Sequence, residues 1–185
     1  MKTRLRVRKC DACKVHYKQE RPLQMVCSYH CASKLVEIKK AKKAAKQLKK
    51  DKADLKTITD WLKITQRVFN EFIRLRDKDK PCISCGTHKC NKWDAGHFRT
   101  VKAASNLRFN EDNVHKQCSF YCNHNLSGNI EGYRRGIIDR IGEDRVDRLL
   151  SSNETVKYTR EQLEALRKFY RLKIKQLKGD QNVSS

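Results

Sequence analysis

The apolar positions of this chain fall mostly at helical spacing and alternate only briefly. Between residues 57 and 80, Trp61, Leu62, Val68, Phe69, Phe72, Ile73 and Leu75 share one broad helical face. Side chains of that bulk predict a buried core. Thr57 and Asp60 resemble a capping box at its start, and Pro81 ends it. Tyr133–Ile141 and Glu143–Leu150 read as short helices broken at Gly142. Thr159-x2-Gln162 caps a last helix with Leu163, Leu166, Tyr170, Ile174 and Leu177 on one side, fraying from Gly179. Residues 32–56 contain no Gly or Pro. Leu35, Ile38, Ala41, Ala45, Leu48 and Leu55 mark a thin stripe there, and lysines fill the other faces. That predicts a long exposed helix needing a partner: a second subunit, or nucleic acid on Lys39, Lys42, Lys43, Lys46, Lys49 and Lys50. A solvated linker helix fits the same pattern. Strand character is confined to Trp93–Phe98.

The cysteines add what the periodicity lacks. Eight of nine form close pairs, Cys10-x2-Cys13 with Cys27-x3-Cys31 and Cys82-x2-Cys85 with Cys118-x3-Cys122; Cys90 is left over. Each set suits one structural zinc held by four thiolates. His16 and His30 lie near the first set but are surplus to it. A module of residues 1–33 is too small to bury much apolar surface, so its metal would supply the folding energy. Met1–Lys9 has no apolar signal-peptide core, and no stretch approaches the length of a membrane span. The expected location is therefore the cytoplasm, without membrane association, where paired thiols read as metal ligands rather than disulfides.

Charge narrows the partner. Lys and Arg number 43 against 21 Asp and Glu, a net +22. Residues 1–56 alone hold 18 basic and 5 acidic residues, a net +13. A field of this sign attracts polyanions, and nucleic acid is the commonest one; ribosomal or chromatin-like structural binding fits the charge alone equally.

The second cysteine set brackets Asp94-Ala95-Gly96-His97, the order a zinc-clamped HNH nuclease needs. A closed four-thiolate site has no place for water, so chemistry must use the residues between the pairs. His97, at the end of the strand, could take a proton from water attacking phosphorus. Gly96 would let a phosphate backbone approach closely, and Arg99, Lys102 and Arg108 would contact it. Mg²⁺ or Mn²⁺ would neutralise the developing charge, with Asp94, Asn123 and, third, His115 as candidate ligands.

The stretches PCISCG, WDAGHF, LRFNEDNVHKQC and CNHNLSGN resemble the NinG/Rap proteins of lambdoid phages. That resemblance implies an HNH-type, structure-specific recombination endonuclease that cuts branched DNA such as D-loops and Holliday junctions. It implies an α+β, mostly helical fold: a zinc-bound ββα-metal (HNH, or His-Me finger) core with helical flanks and an N-terminal four-cysteine zinc module. His97 matches the general base. Asn113 matches the middle Asn that braces the loop, and Asn123 the final metal-ligand position. Gly96 stands where many HNH enzymes carry a metal-binding Asp or His, which leaves that role to Asp94 or His115. The second cysteine pair is spaced x3 where x2 is usual, and Leu126 stands where a Lys is often seen. The expected organisation is a zinc module over 1–33, a basic helix over 34–56, a nuclease domain over 57–150, and a C-terminal helix and tail over 151–185. Symmetric cutting of a junction needs two active sites, hence a homodimer. The alternatives are a non-catalytic zinc-finger nucleic-acid-binding protein, or an HNH nuclease with sequence rather than branch specificity.

Overall fold

The computed structural model describes residues 6–181, so the tail expected over 182–185 lies outside the described residues. The chain divides between Lys56 and Thr57 into two compact units.

In the first unit, β1 (Val7–Lys9) pairs antiparallel with β2 (His16–Lys18), Val7 opposite Lys18. Strands of three residues are too short to leave a readable alternation, and the sequence did not predict them. The helix α1 (Tyr29–Asp54) starts three residues before the predicted span. Ser28 caps it by accepting a hydrogen bond from the Cys31 amide at 3.2 Å, which places that thiol in the first turn. From Lys39 to Lys52 every residue of α1 is exposed, including the Ala41–Ala45–Leu48 stripe.

The second unit is built on α2 (Ile58–Arg76) and α5 (Arg160–Gln181). Thr57 and Asp60 close the capping box predicted for α2. The Tyr170 ring of α5 lies 4.8 Å from Phe69 and 5.1 Å from Phe72, and its hydroxyl donates to the Phe109 carbonyl at 3.0 Å. Thr65, fully buried on α2, donates its hydroxyl to the Leu163 carbonyl. α5 continues to Gln181, past Gly179, where the frayed tail was expected to begin.

Strands β3 (Trp93–His97) and β4 (Val114–Cys118) form an antiparallel hairpin, with Trp93 opposite Cys118 and Gly96 opposite His115. A π-helical turn (Ser119–Asn125) follows, then α3 (Ile130–Ile141) and α4 (Glu143–Ser151), broken at Gly142 as predicted. Ile83, Phe98, Leu107, Tyr133, Ile137, Val146 and Leu149 make the core beneath α3 and α4. Here two glycines are required by contact. A Cβ on Gly132 would sit 2.2 Å from the Ser84 carbonyl, and one on Gly136 2.0 Å from that of Ile83. So α3 presses its backbone directly on the Cys82–Cys85 loop.

α2 ends at Arg76, short of the span read to residue 80, because Asp77 leaves the helix for a buried network. Its fully buried carboxylate accepts from Arg76 (2.9 Å), from the Lys116 amide (3.0 Å) and from Arg140 (3.3 Å). Burial alone would raise its pKa, but the adjoining His115 and Arg76 side chains and the Lys116 amide outweigh it and hold the carboxyl far below the usual carboxylate range. Asp77→Ala would leave two guanidinium groups and an amide without their acceptor. We expect it to cost roughly 3–5 kcal/mol, read as a lowered urea midpoint. An unchanged midpoint would show that this network does not hold the fold. The folded pKa is depressed, so the contribution is complete above the unfolded value of 3.8 and fades as pH falls below it.

Candidate metal centres and cleft

The two Cys-x2-Cys loops are built alike. The Cys10 amide donates to the Val15 carbonyl and the Lys14 amide to the Cys10 carbonyl, with Lys14 at φ +65°. At matching positions the Cys82 amide donates to Thr87, Gly86 donates to Cys82, and Gly86 has φ +71°. Each loop turns two thiols to one side. α1 supplies Cys31 to the first set, and the end of β4 and the π-helical turn supply Cys118 and Cys122 to the second. The four sulfurs of each set lie within 4.8 Å of one another. Cys13–Cys27 and Cys27–Cys31 are 3.7 and 3.5 Å apart, Cys82–Cys122 and Cys85–Cys118 3.8 and 3.9 Å. A tetrahedral zinc with bonds of about 2.3 Å has an S–S edge of about 3.8 Å, so both sets fit.

Crowding separates the thiols chemically. Burial opposes charge at Cys10, but amide donors from Cys13, Cys27 and Ala12 bring it down to about 6. Hydrogen bonding with Cys31 and Cys13 pushes Cys27 up to about 12; burial and bonding with Cys85 do the same to Cys122. A bound divalent cation would remove that mutual penalty. His16 and His30 are exposed and join neither set. Cys90 is half-buried against the second set and bonds the Lys92 carbonyl at 3.0 Å. Metal analysis of the purified protein is expected to find about two zinc ions per chain. Cys118→Ser should lose one and unfold the hairpin; one zinc in the parent protein would leave a cluster unexplained.

The x3 spacing of Cys118 and Cys122 is taken up by the π-helical turn, where the Leu126 amide bonds the Tyr121 carbonyl five residues back. That turn carries Asn123. Asn123 and His97 line one cleft of about 290 Å³, walled also by Gly96, Thr100, Val101 and Gly128. Asp94 does not line the cleft, but Asn123 Nδ2 donates to its Oδ2 at 3.0 Å, which leaves the Asn123 amide oxygen free to accept.

His97 Nε2 is 3.1 Å from the Arg108 carbonyl. A carbonyl only accepts, so Nε2 carries the proton and Nδ1 keeps its lone pair. Burial lowers the pKa of His97 below its ordinary 6.5, and the Arg108 charge adds to the effect, leaving the ring neutral at pH 7. Asn113 is fully buried. Its amide oxygen accepts from the Arg99 amide (2.7 Å), and its nitrogen donates to the Arg99 and Leu107 carbonyls (3.0 and 3.1 Å). It therefore ties together the loop that carries Arg108, and through Arg108 it positions His97.

Other candidates are placed elsewhere. His115 is 3% exposed and both ring nitrogens are spent: Nδ1 accepts from Arg76 (2.9 Å) and Nε2 donates to the Asp112 carbonyl (3.1 Å). It has no lone pair for a metal, and the network of Asp77 explains its presence. Arg99 caps the carbonyls of Leu149 and Leu150 at the end of α4. Arg108 donates to Gln66 at 3.0 Å. Both are half-buried. Lys102 is exposed beside the cleft, and Lys39, Lys42, Lys43, Lys46, Lys49 and Lys50 are exposed on α1. Gly96 lines the cleft and is also required by packing: a Cβ there would meet Gln117 Oε1, and its carbonyl accepts from the Tyr133 hydroxyl. The Arg108 carbonyl, which fixes the tautomer of His97, left no trace in the sequence, because any residue supplies one.

Fold and sites together define a basic α+β protein of two small units, each organised around a four-cysteine cluster able to hold a metal. The chain belongs to the NinG family: the profile described as Bacteriophage Lambda NinG protein matches residues 2–180. Protein ninG of Escherichia phage lambda is 39% identical over 198 residues, covering 96% of this chain and 97% of the relative. That of Salmonella phage P22 is 39% identical over 180 residues, 88% of each chain. That of Escherichia phage 933W is 44% identical over 139 residues, 75% of this chain and 69% of the relative. No solved structure matches. Among the described residues no helix is long and apolar enough to cross a membrane.

Proposed function

We propose that the protein is a metal-dependent DNA endonuclease with an HNH-type site, acting on branched DNA during phage recombination. The observation that carries this reading is His97: its Nε2–H is committed to a carbonyl, Nδ1 keeps its lone pair, and the residue lines a cleft together with Asn123. A histidine placed only for packing has no need of a neutral acceptor there. The hairpin, the π-helical turn and α3 follow one another in ββα order, and the Cys82–Cys122 cluster, once it holds zinc, would tie the loop before the hairpin to the end of β4 and the π-helical turn.

In the proposed reaction, Nδ1 of His97 accepts a proton from water as it attacks phosphorus. Asn113 keeps the ring in place by holding the Arg108 loop. The Asp94 carboxylate and the Asn123 amide oxygen are the hard donors that would hold Mg²⁺ or Mn²⁺, which supplies charge neutralisation on the phosphate and the leaving oxygen when bound. Lys102 and the α1 lysines are the DNA contacts left exposed. A homodimer would provide the second site for paired cuts.

The test is incubation of the purified protein with Mg²⁺ or Mn²⁺ on a four-way junction, a D-loop and a linear duplex of identical sequence. Incision of the branched substrates alone is expected. Equal cutting of the duplex at a fixed sequence would favour site-specific cleavage; no incision with either metal would leave a zinc-dependent binding protein.

A further inference from the structure

The π-helical turn holds the Cys118–Cys122 end of the second cluster inward and pushes an aromatic group outward. Phe120 is 72% exposed and Tyr121 59% exposed, and neither belongs to the core beneath α3 and α4 or to the cysteine cluster of the hairpin. The Phe120 and His124 rings lie parallel, 2° apart, with centroids separated by 6.5 Å. With Lys89 and Lys92 they line a concavity of about 600 Å³, and no carboxylate contributes to its wall. Large aromatics left in water are uncommon without a partner, and π-helical turns concentrate at functional positions.

We propose that this concavity takes an unstacked nucleobase of the DNA strand, and that it selects branched over linear DNA; the assignment rests on the nuclease reading of the adjacent cleft. Three observations favour a base over a protein or a second copy. Aromatic faces beside lysines, with no acid among them, match a π-face flanked by phosphates. A purely apolar docking surface has no use for the two lysines. Phe120, Tyr121 and His124 also share one seven-residue turn with Asn123, which lines the cleft, so a single element carries residues of both hollows. Bases inside a regular duplex have both faces covered. At a junction or D-loop some do not, so only such DNA can use the rings. Stacking tolerates every base, which would make selection independent of sequence.

The test uses the full-length protein and Ca²⁺, so that binding is read without cutting. Junction and linear duplex of identical sequence are titrated by anisotropy, with 2-aminopurine at the branch point reporting stacking. Wild type should quench 2-aminopurine and prefer the junction. The double change Phe120→Ala with Tyr121→Ala should lose roughly 5- to 150-fold in junction affinity, abolish the quench and leave duplex affinity unchanged. Phe120→Trp with Tyr121→Trp should restore both. Unchanged junction affinity in the alanine variant, with wild-type zinc content, overturns the proposal, as does a shift from dimer to monomer, which would make the platform a subunit interface. The nuclease reading fails separately. If wild type never cuts but the alanine variant loses the quench, the platform stands and catalysis does not; if the alanine variant binds and cuts junctions like wild type, the platform falls and catalysis stands.

Discussion

His97→Ala is expected to reduce strand incision by roughly 10²- to 10⁴-fold while DNA affinity stays nearly unchanged. The split follows from what the ring touches. It makes one hydrogen bond, to the Arg108 carbonyl, and contributes no positive charge at neutral pH. It therefore has little to offer bound DNA in the ground state, and its effect should appear when water loses a proton. The wild-type pH profile provides a second, independent reading. A base works only when neutral, so incision falls with pH through the pKa of His97. Burial lowers that pKa below 6.5, so the acid limb should lie on the acid side of 6.5 rather than at it. Wild-type turnover in the alanine protein, or an acid limb above 6.5 that survives the substitution, would remove His97 from the reaction. Asp94→Asn and Asn123→Ala should instead raise the metal concentration needed for half-maximal rate. His115→Ala should not affect that requirement beyond its effect on stability, because its ring nitrogens are spent on Arg76 and the Asp112 carbonyl.

Replacing Lys39, Lys42, Lys43, Lys46, Lys49 and Lys50 together by Ala is expected to weaken DNA binding most at low salt and to flatten its salt dependence. Ala has the higher helix propensity, so α1 should keep its length. These residues recur at three- and four-residue intervals and form one basic stripe, all exposed. Every phosphate that the variant no longer neutralises should lower the log–log salt slope by about 0.9 for duplex DNA. An interface that neutralises roughly six to ten phosphates changes roughly 10³- to 10⁵-fold in affinity between about 50 and about 200 mM salt. The variant should still cut junctions at low salt and high protein, since the cleft residues belong to the other unit. An unchanged slope would show the stripe to be a solvated face. A variant that instead fails to dimerise would assign α1 to subunit contact.

Several parts of this architecture were legible in the sequence for local reasons. Helix caps are local chemistry, so Thr57–Asp60 and Thr159–Gln162 marked the starts of α2 and α5. Cysteine spacing is local too, and the two knuckle loops place their thiols as the spacing required. The stripe from Trp61 to Ile73 was long enough to reveal its period. What the sequence misjudged depended on partners distant along the chain. α2 stops at Arg76 because Asp77 meets Lys116 and Arg140, 39 and 63 residues away. Arg99 looked like a phosphate contact until α4 brought the carbonyls of Leu149 and Leu150 to it.

The candidate site divides the same way. Residue type and order singled out His97 and Asn123, because few side chains can serve as base or hard ligand, the cysteine pairs fixed where to look, and Asn113 came from the family resemblance. Only the tertiary structure decided what each can do. Asn123 reaches the cleft because the π-helical turn absorbs the extra residue between Cys118 and Cys122. Asp94 is held near it by one hydrogen bond, while His115, one register position from His97 across the hairpin, is drawn into a buried ion network instead. The tautomer of His97 depends on the Arg108 carbonyl, a group that every residue carries. Side-chain chemistry is written in the residue names. Which lone pairs remain free depends on the neighbours each group meets, and neighbours from distant segments meet only once the chain has folded.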